Sequence, residues 1–200
     1  MAYNLDRKSR PVVVGSYQDT WPDDFCRLAK VLRTTLGSAA LRIDHIGSTS
    51  VPHLAAKDVI DIQITVAQLP NEPVRDALRA AGFRPRSQLE YDNFIGVEDA
   101  ESEELTKYYV REPEGERRTH IHIRKQGQLN QRYALLFRDY LRASQTTLRA
   151  YETIKIRLAQ IFPESIDGYL YIKDPLMDII FEAADLWSMA VGWQPGEEYF

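Results

Sequence analysis

The strongest constraint on the fold comes from residues 59–66, where apolar and polar side chains alternate one by one. A period of two is typical of a β-strand, because successive side chains point to opposite faces of a sheet. One face carries Ile60, Ile62, Ile64 and Val66. The other face carries Asp61, Gln63 and Thr65. The segment therefore predicts a strand with one face packed in an apolar core and one polar face that can carry chemistry.

The rest of the chain predicts more strands and then helices. Apolar residues three and four positions apart predict helices over 20–36 and 71–81, each ended by a glycine. Shorter patterns predict strands at 11–14, 40–46, 91–97, 105–112 and 117–124, and a short helix over 48–56. From residue 128 onward the pattern is helical. Pro163 breaks it, and Pro175 starts or kinks a final helix that runs to about Met189.

These elements predict an α+β protein, with a mixed β-sheet, flanking helices and a helical C-terminal third. A length of 200 residues fits one domain, which we place at 11–190. Its sheet-containing core spans about 11–125 and its helical part about 128–190. A flexible lead-in at 1–10 and a tail at 191–200 complete the chain.

Composition and charge exclude several classes of protein. Hydrophobic residues make up 44% of the chain, enough to bury a core, which excludes intrinsic disorder. The single cysteine, Cys26, excludes a disulfide scaffold. A formal net charge of −4 disfavours long nucleic acid as a partner. No apolar run approaches the roughly 20 residues of a membrane-spanning helix. No apolar signal segment follows the charged start, so we expect a cytoplasmic protein without a membrane partner.

The first candidate site is the turn Gly47-Ser48-Thr49-Ser50, which follows a predicted strand and begins a predicted helix. Free backbone N–H groups and small hydroxyls at such a junction bind phosphate, and glycine lets a ligand approach the backbone closely. The same residue types also act as ordinary helix caps. The turn therefore predicts either a phosphate site or a structural cap.

The second candidate is Asp61, on the polar face of the alternating strand with Gln63 beside it. A carboxylate buried there needs a partner, because an unpaired buried charge is costly. One interpretation is a solvated sheet face, or an ion pair with Lys57 or Arg42. The other is a ligand for Mg²⁺, which prefers carboxylate oxygens together with substrate phosphates.

The third candidate is the pair His120 and His122, whose alternate positions bring both imidazoles to one face of a strand. This arrangement suits metal binding, proton transfer or phosphate contact, and two structural histidines are the alternative. Together with Asp61, the pair has the ligand types of a site with two histidines and one carboxylate.

Arg138 is a further candidate, within the helical stretch 137–142. One interpretation is a surface helix stabilised by pairs between arginines and Asp139. The other is that the Arg138 guanidinium reaches an anionic substrate.

Taken together, these segments resemble the GrpB family. The matching text is YQDTWP from Tyr17, RIDHIGSTSVPHLAAKDVIDI from Arg42, HIH from His120 and FRDYLR from Phe137. Order and spacing agree over roughly residues 11–185. The resemblance implies the nucleotidyltransferase fold of the DNA polymerase β type. Related domains occur attached to a dephospho-coenzyme A kinase, but this sequence has no GxxxxGKS or GxxxxGKT loop, so we do not expect that kinase activity here.

In the wider nucleotidyltransferase pattern, a Gly-Ser turn and a short helix lead to a strand with two carboxylates two residues apart. Gly47 and Ser48 match the turn, and Asp61 matches the first carboxylate. The second position holds Gln63, a neutral amide that is a poorer Mg²⁺ ligand. By sequence order, the third carboxylate's place falls on the strand with the paired histidines. Further departures are His53 and Asp58, where the family more often shows glycine and proline, and Pro175, which interrupts a final helix that the resemblance implies is continuous.

Three functional hypotheses follow. The first is a metal-dependent nucleotidyltransferase in which Asp61, His120 and His122 are catalytic and bind Mg²⁺ or Mn²⁺. Its substrate is a nucleotide or another small phosphate-bearing ligand, bound by Gly47, Ser48, Thr49, Ser50, Lys57 and Arg138. The second is a catalytically inactive module on the same fold that binds a nucleotide or another anion. The third is a metal-dependent hydrolase built on the two histidines and Asp61.

Overall fold

The alternating segment forms an inner strand of a mixed sheet in the computed structural model, which describes residues 3–5 and 7–196. Within those residues the sheet has five strands: β1 (Arg42–Ile46), β2 (Ile60–Val66), β3 (Arg84–Pro85), β4 (Lys107–Arg111) and β5 (Thr119–Lys125). The same residues form five α-helices: α1 (Trp21–Leu36), α2 (Glu72–Ala80), α3 (Leu129–Ala143), α4 (Gln145–Ile161) and α5 (Ile166–Val191). The predicted lead-in and tail fall partly outside this description, at residues 1, 2, 6 and 197–200.

The strands lie in the order β1-β2-β5-β4-β3. β2 and β5 are parallel, and the other neighbouring pairs are antiparallel. The register places Asp61 opposite Ile46 on one side and opposite His120 on the other. The predicted α+β class, with a mixed sheet, flanking helices and a helical C-terminal third, is therefore confirmed.

The apolar face of the sheet packs against α1 and α2. Trp21, Phe25 and Leu78 are almost completely buried there, and each contributes about 1.5–3 kcal/mol by leaving water. α1 ends where predicted, at Gly37, which has a φ of +53°. α2 begins where predicted, because the Asn71 side chain accepts a hydrogen bond from a first-turn backbone N–H.

The polar face of the sheet is covered by α3, which in turn packs against α4 and α5. α5 begins at Ile166, where the Ser165 hydroxyl accepts a hydrogen bond from the Gly168 N–H at 3.1 Å. Pro175 lies inside this helix and does not start it. Among the residues that the structure describes, none of the helices is long and apolar enough to span a membrane.

Two predicted strands are wrong. Residues 11–14 do not join the sheet, because Val12 donates its N–H to the Pro163 carbonyl at 2.8 Å and packs against α4 and α5. Residues 91–97 make only an isolated bridge at Tyr91. Instead, the Phe94 ring packs against the aromatic rings of Tyr133 in α3 and Phe181 in α5. In both segments, contacts with the helical part replace strand pairing.

The predicted helix over 48–56 is wrong beyond its first turn. Only Ser48–Ser50 is helical, as a single 3₁₀ turn. Val51 and Leu54 then insert into the apolar core between α3, α4 and α5, and Ala56 exchanges two backbone hydrogen bonds with Gly15. The helix does not continue because Val51 and Leu54 pack against distant helices and the chain turns at 52–53.

His53, at a position where the resemblance implies glycine, has a φ of +66°. This left-handed conformation costs a residue with a Cβ about 1–2 kcal/mol, whereas glycine adopts it freely. We predict that His53→Gly raises the free energy of unfolding by about 0.5–1 kcal/mol, and Tm by about 1–4 °C, after the backbone entropy of glycine is subtracted. Thermal unfolding measures the change. His53→Ala is the matched control, since it keeps the Cβ. An equal gain in both variants would contradict a conformational cause.

Candidate functional site

The turn between β1 and β2 lies directly on Asp61. Gly47 has a φ of +70° and a ψ of −172°, a conformation in which glycine is strongly favoured. A Cβ atom added to Gly47 would lie 2.9 Å from Asp61 Cγ, closer than two carbon atoms pack. The missing side chain therefore lets the turn's backbone contact the carboxyl group.

Two hydroxyls of the turn point into the protein. The Thr49 Oγ1 is buried, donates to a backbone carbonyl at 3.1 Å and lies 3.0 Å from His45 Nε2. Burial lowers the pKa of His45 to about 3, so this imidazole stays neutral at pH 7. The Ser50 hydroxyl donates to the Gly47 carbonyl at 2.6 Å. Thr49 and Ser50 therefore hold the shape of the turn, and the geometry gives no support to their predicted contact with phosphate.

Asp61 and His120 are brought into contact across the parallel pair β2 and β5. His120 Nδ1 lies 3.1 Å from Asp61 Oδ1, and each side chain is 26% exposed. Burial alone would raise the pKa of Asp61. The hydrogen bond and the charge of His120, assisted by the charge of Lys57, outweigh it and hold that pKa below its ordinary value. The carboxylate is therefore ionised at neutral pH and accessible from one side.

His122 belongs to a different set of contacts. Its Nδ1 lies 3.5 Å from Arg124 Nη2, and its ring centroid is 4.9 Å from that of Tyr109. Burial, together with the positive charges of Arg124 and Lys107, lowers the pKa of His122 well below its ordinary value. The imidazole is therefore neutral at physiological pH.

A buried lysine of α4 reaches the turn from the opposite side. The Lys155 side chain is almost wholly inaccessible, since the residue is 1% exposed. Its Nζ donates to the Ser48 hydroxyl at 3.0 Å and to the Ala55 carbonyl at 2.6 Å, and lies 4.7 Å from the centre of the Tyr151 ring. Burial lowers the pKa of Lys155 to about 7, assisted by the charge of Lys173.

Lys57 and Lys173 complete a group of three lysines. The Lys57 Nζ lies over the Tyr169 ring, 4.8 Å from its centre. Burial and the charge of Lys173 lower the pKa of Lys57 to about 8. Burial also opposes the charge of Lys173, but Tyr151, Asp174 and Asp61 hold its pKa above the ordinary value. We call Lys57, Lys155 and Lys173 the lysine cluster; Asp61 acts on the charge of all three.

Gln63 is occupied by structural contacts on the same sheet face. It is completely buried, accepts a hydrogen bond from Arg124 Nη1 at 2.6 Å and donates to the Gln131 carbonyl of α3 at 3.1 Å. Arg124 also donates to Asp92 at 2.8 Å, and Lys107 lies 2.6 Å from the same carboxylate. This network ties the sheet to α3, so Gln63 is a structural residue.

The donor set does not fit a pair of divalent ions. Of the carboxylates on this face, Asp44 is bound by Arg42 and Asp92 by Arg124 and Lys107, which leaves Asp61. Within residues 3–5 and 7–196, no three His, Cys, Asp or Glu side chains are arranged to hold a metal ion. Binding of one Mg²⁺ or Mn²⁺ ion through Asp61 stays a prediction.

Arg138 is 3% exposed, and its guanidinium is bonded to other groups of the protein. It donates to the His45 carbonyl at 2.9 Å and to Asp139 at 2.7 Å, and it lies 3.9 Å from Asp44. These contacts favour the structural interpretation of Arg138 over contact with a substrate.

Lys155 and Lys173 were not predicted from the sequence, although a local signal exists. Lys155 lies at the helical spacing of the buried residues Tyr151 and Leu158, and Lys173 at that of Tyr169 and Ile180. A lysine on the apolar stripe of a helix is unusual, because a buried ammonium needs compensation. A lysine at such a position is therefore a candidate functional residue.

The close contact between Gly47 and Asp61 makes a testable prediction. Gly37 has a comparable backbone, with a φ of +53° and a ψ of −132°, but no atom lies within 4 Å of an added Cβ. We expect Gly37→Ala to cost about 1–2 kcal/mol for its conformation, and Gly47→Ala to cost measurably more because the turn must also move away from Asp61. Chemical denaturation measures both. Equal losses would show that the contact is not tight.

Comparisons with known proteins identify the family of this chain. Residues 11–183 match the family described as GrpB protein. The dephospho-CoA kinase of Mycolicibacterium paratuberculosis is 32% identical over 212 residues, which are 97% of this chain and 52% of that protein. The UPF0157 protein YqkA of Bacillus subtilis is 31% identical over 90% of this chain and 49% of that protein. The chain thus spans about half the length of these curated relatives.

A solved structure is also similar. The crystal structure of conserved protein GrpB from Enterococcus faecalis has a TM-score of 0.69 and 31% sequence identity, and the match covers 88% of this chain and 99% of that one. This chain belongs to the GrpB family.

Proposed function

We propose that the chain binds a phosphate-bearing small molecule, with nucleotides as the first candidates, at the Gly47–Ser48 turn. One observation carries the proposal: the turn lies on Asp61, and its serine hydroxyl accepts a hydrogen bond from the buried Lys155. Backbone N–H groups, hydroxyls and ammonium groups are the donors that hold phosphate oxygens in proteins.

The contacts of Gln63 favour binding over two-metal transfer. Two-metal phosphoryl transfer needs several carboxylates around both ions, and here the amide of Gln63 is already bonded to Arg124 and α3. The proposed function is therefore that of a binding module on a nucleotidyltransferase-like fold. We do not carry over the kinase activity in the relatives' name, because the sequence has no GxxxxGKS or GxxxxGKT loop.

Thermal unfolding with ATP, GTP, CTP and UTP, each with and without Mg²⁺ or Mn²⁺, tests the proposal. A ligand at 100 times its Kd adds about 2.7 kcal/mol. That corresponds to a rise in Tm of roughly 5–10 °C for a chain of this size. We expect a rise for at least one nucleotide, and we expect Lys155→Met to lose it, because the variant lacks the ammonium at Ser48.

Lys30→Met is the matched control, since Lys30 is an exposed lysine of α1. It should keep the full rise in Tm. An unchanged Tm across the whole panel would refute nucleotide binding.

Nucleotidyl transfer is the second candidate, favoured by the 3.1 Å contact between Asp61 and His120. When His120 donates its Nδ1 proton to Asp61, the lone pair on Nε2 is able to accept a proton from an attacking hydroxyl. A divalent ion on Asp61, if bound, would offset charge on the phosphates. We expect pyrophosphate release, measured with any nucleotide that binds, to fall by about 100-fold or more in Asp61→Asn. Binding without release would leave only the first function.

A further inference from the structure

We propose that the site binds its ligand's phosphate groups without a divalent ion, the lysine cluster supplying the positive charge that Mg²⁺ usually supplies. This inference rests on the proposed function and specifies which form of the ligand is recognised. It identifies the ligand as an unchelated phosphate ester or polyphosphate.

The first argument is that two of the three lysines in the cluster, Lys57 and Lys155, lack a close counter-ion. Within residues 3–5 and 7–196, neither Lys57 nor Lys155 has a carboxylate oxygen within 4 Å of its Nζ. Lys155 is bonded to neutral oxygens, and Lys57 faces a tyrosine ring. Lys173 lies 3.7 Å from Asp174. A buried ammonium without a counter-ion is costly, and an anionic ligand would remove that cost.

The second argument is that the carboxylates facing the cluster are engaged elsewhere. Glu152 accepts the Ala55 N–H at 2.7 Å, and Asp174 accepts the Tyr3 hydroxyl at 2.6 Å. Asp61 contacts His120 at 3.1 Å. The dispersed carboxylates therefore do not form the oxygen cage that a divalent ion needs.

The third argument is electrostatic. A divalent ion on Asp61 would lie among the charges of the lysine cluster, since all three lysines interact with that carboxylate. The lysine charges oppose such an ion and favour a phosphate dianion, and the single negative charge of Asp61 offsets only part of their effect. Burial lowers the pKa of Lys155 to about 7 and that of Lys57 to about 8, because it disfavours the charged form. A bound anion would favour the charged form of both lysines.

Isothermal titration calorimetry of the full chain with pyrophosphate and with ATP, in EDTA and again in excess Mg²⁺, tests the inference. We expect both probes to bind in EDTA at least as tightly as in Mg²⁺. Binding that occurs only in Mg²⁺ would overturn the inference and leave the proposed function standing. No binding under either condition would overturn both.

Variants of the cluster test whether the lysines are responsible. We expect Lys155→Met and Lys57→Met each to weaken binding in EDTA by about tenfold or more, through loss of a charge-assisted hydrogen bond. Lys30→Met should bind as the unmodified chain does. If Lys155→Met does not fold, as judged by circular dichroism, Lys57→Met still decides the question. Unchanged affinity in the folded cluster variants would overturn the inference.

Discussion

The contact between Gly47 and Asp61 positions the rest of the candidate site. Because Gly47 has no side chain, the turn after β1 lies flat on the carboxyl group, and the pairing of β2 with β5 holds that carboxyl beside His120. The turn also sets the Ser48 hydroxyl within 3.0 Å of the Lys155 ammonium. A larger residue at position 47 would push the turn away from β2 and separate the groups that we propose to bind phosphate.

The polar face of the sheet is divided into two halves with different electrostatics. In one half, Arg124 and Lys107 are neutralised by Asp92, and Gln63 completes the network as a neutral acceptor. In the other half, the lysine cluster faces Asp61 with few counter-ions. The contacts of the first half hold the sheet against α3. The second half carries the positive charge that is expected of an anion-binding site.

The amide at position 63 has a consequence for catalysis as well as for metal binding. A carboxylate there would pair with Arg124 and lose its freedom to bind an ion, and the amide also donates to the Gln131 carbonyl, which a carboxylate cannot do. Gln63 is thus one of the residues that hold the sheet against α3. A carboxylate at position 63 would therefore not by itself create a two-metal site.

Sequence patterns predicted the elements that depend on local periodicity. The alternation in β2 and β5 placed Asp61 and His120 on polar faces, and Gly37 and Asn71 marked the ends of helices. The same patterns failed where distant packing decides, as at Val12 and Phe94, whose partners lie in the helical part. Lys155 was missed because periodicity places a residue on a face of its helix and does not say which distant turn that face meets.

Lysine-selective NMR of the Lys155 Nζ, titrated from pH 5 to 10, tests the central claim most directly. Without ligand, the account predicts a pKa of about 7, because burial and Lys173 disfavour the charge. With saturating pyrophosphate in EDTA, it predicts that this pKa rises, because a bound anion stabilises the ammonium. A pKa that pyrophosphate leaves unchanged would show that the Gly47–Ser48 turn and Lys155 do not bind phosphate together.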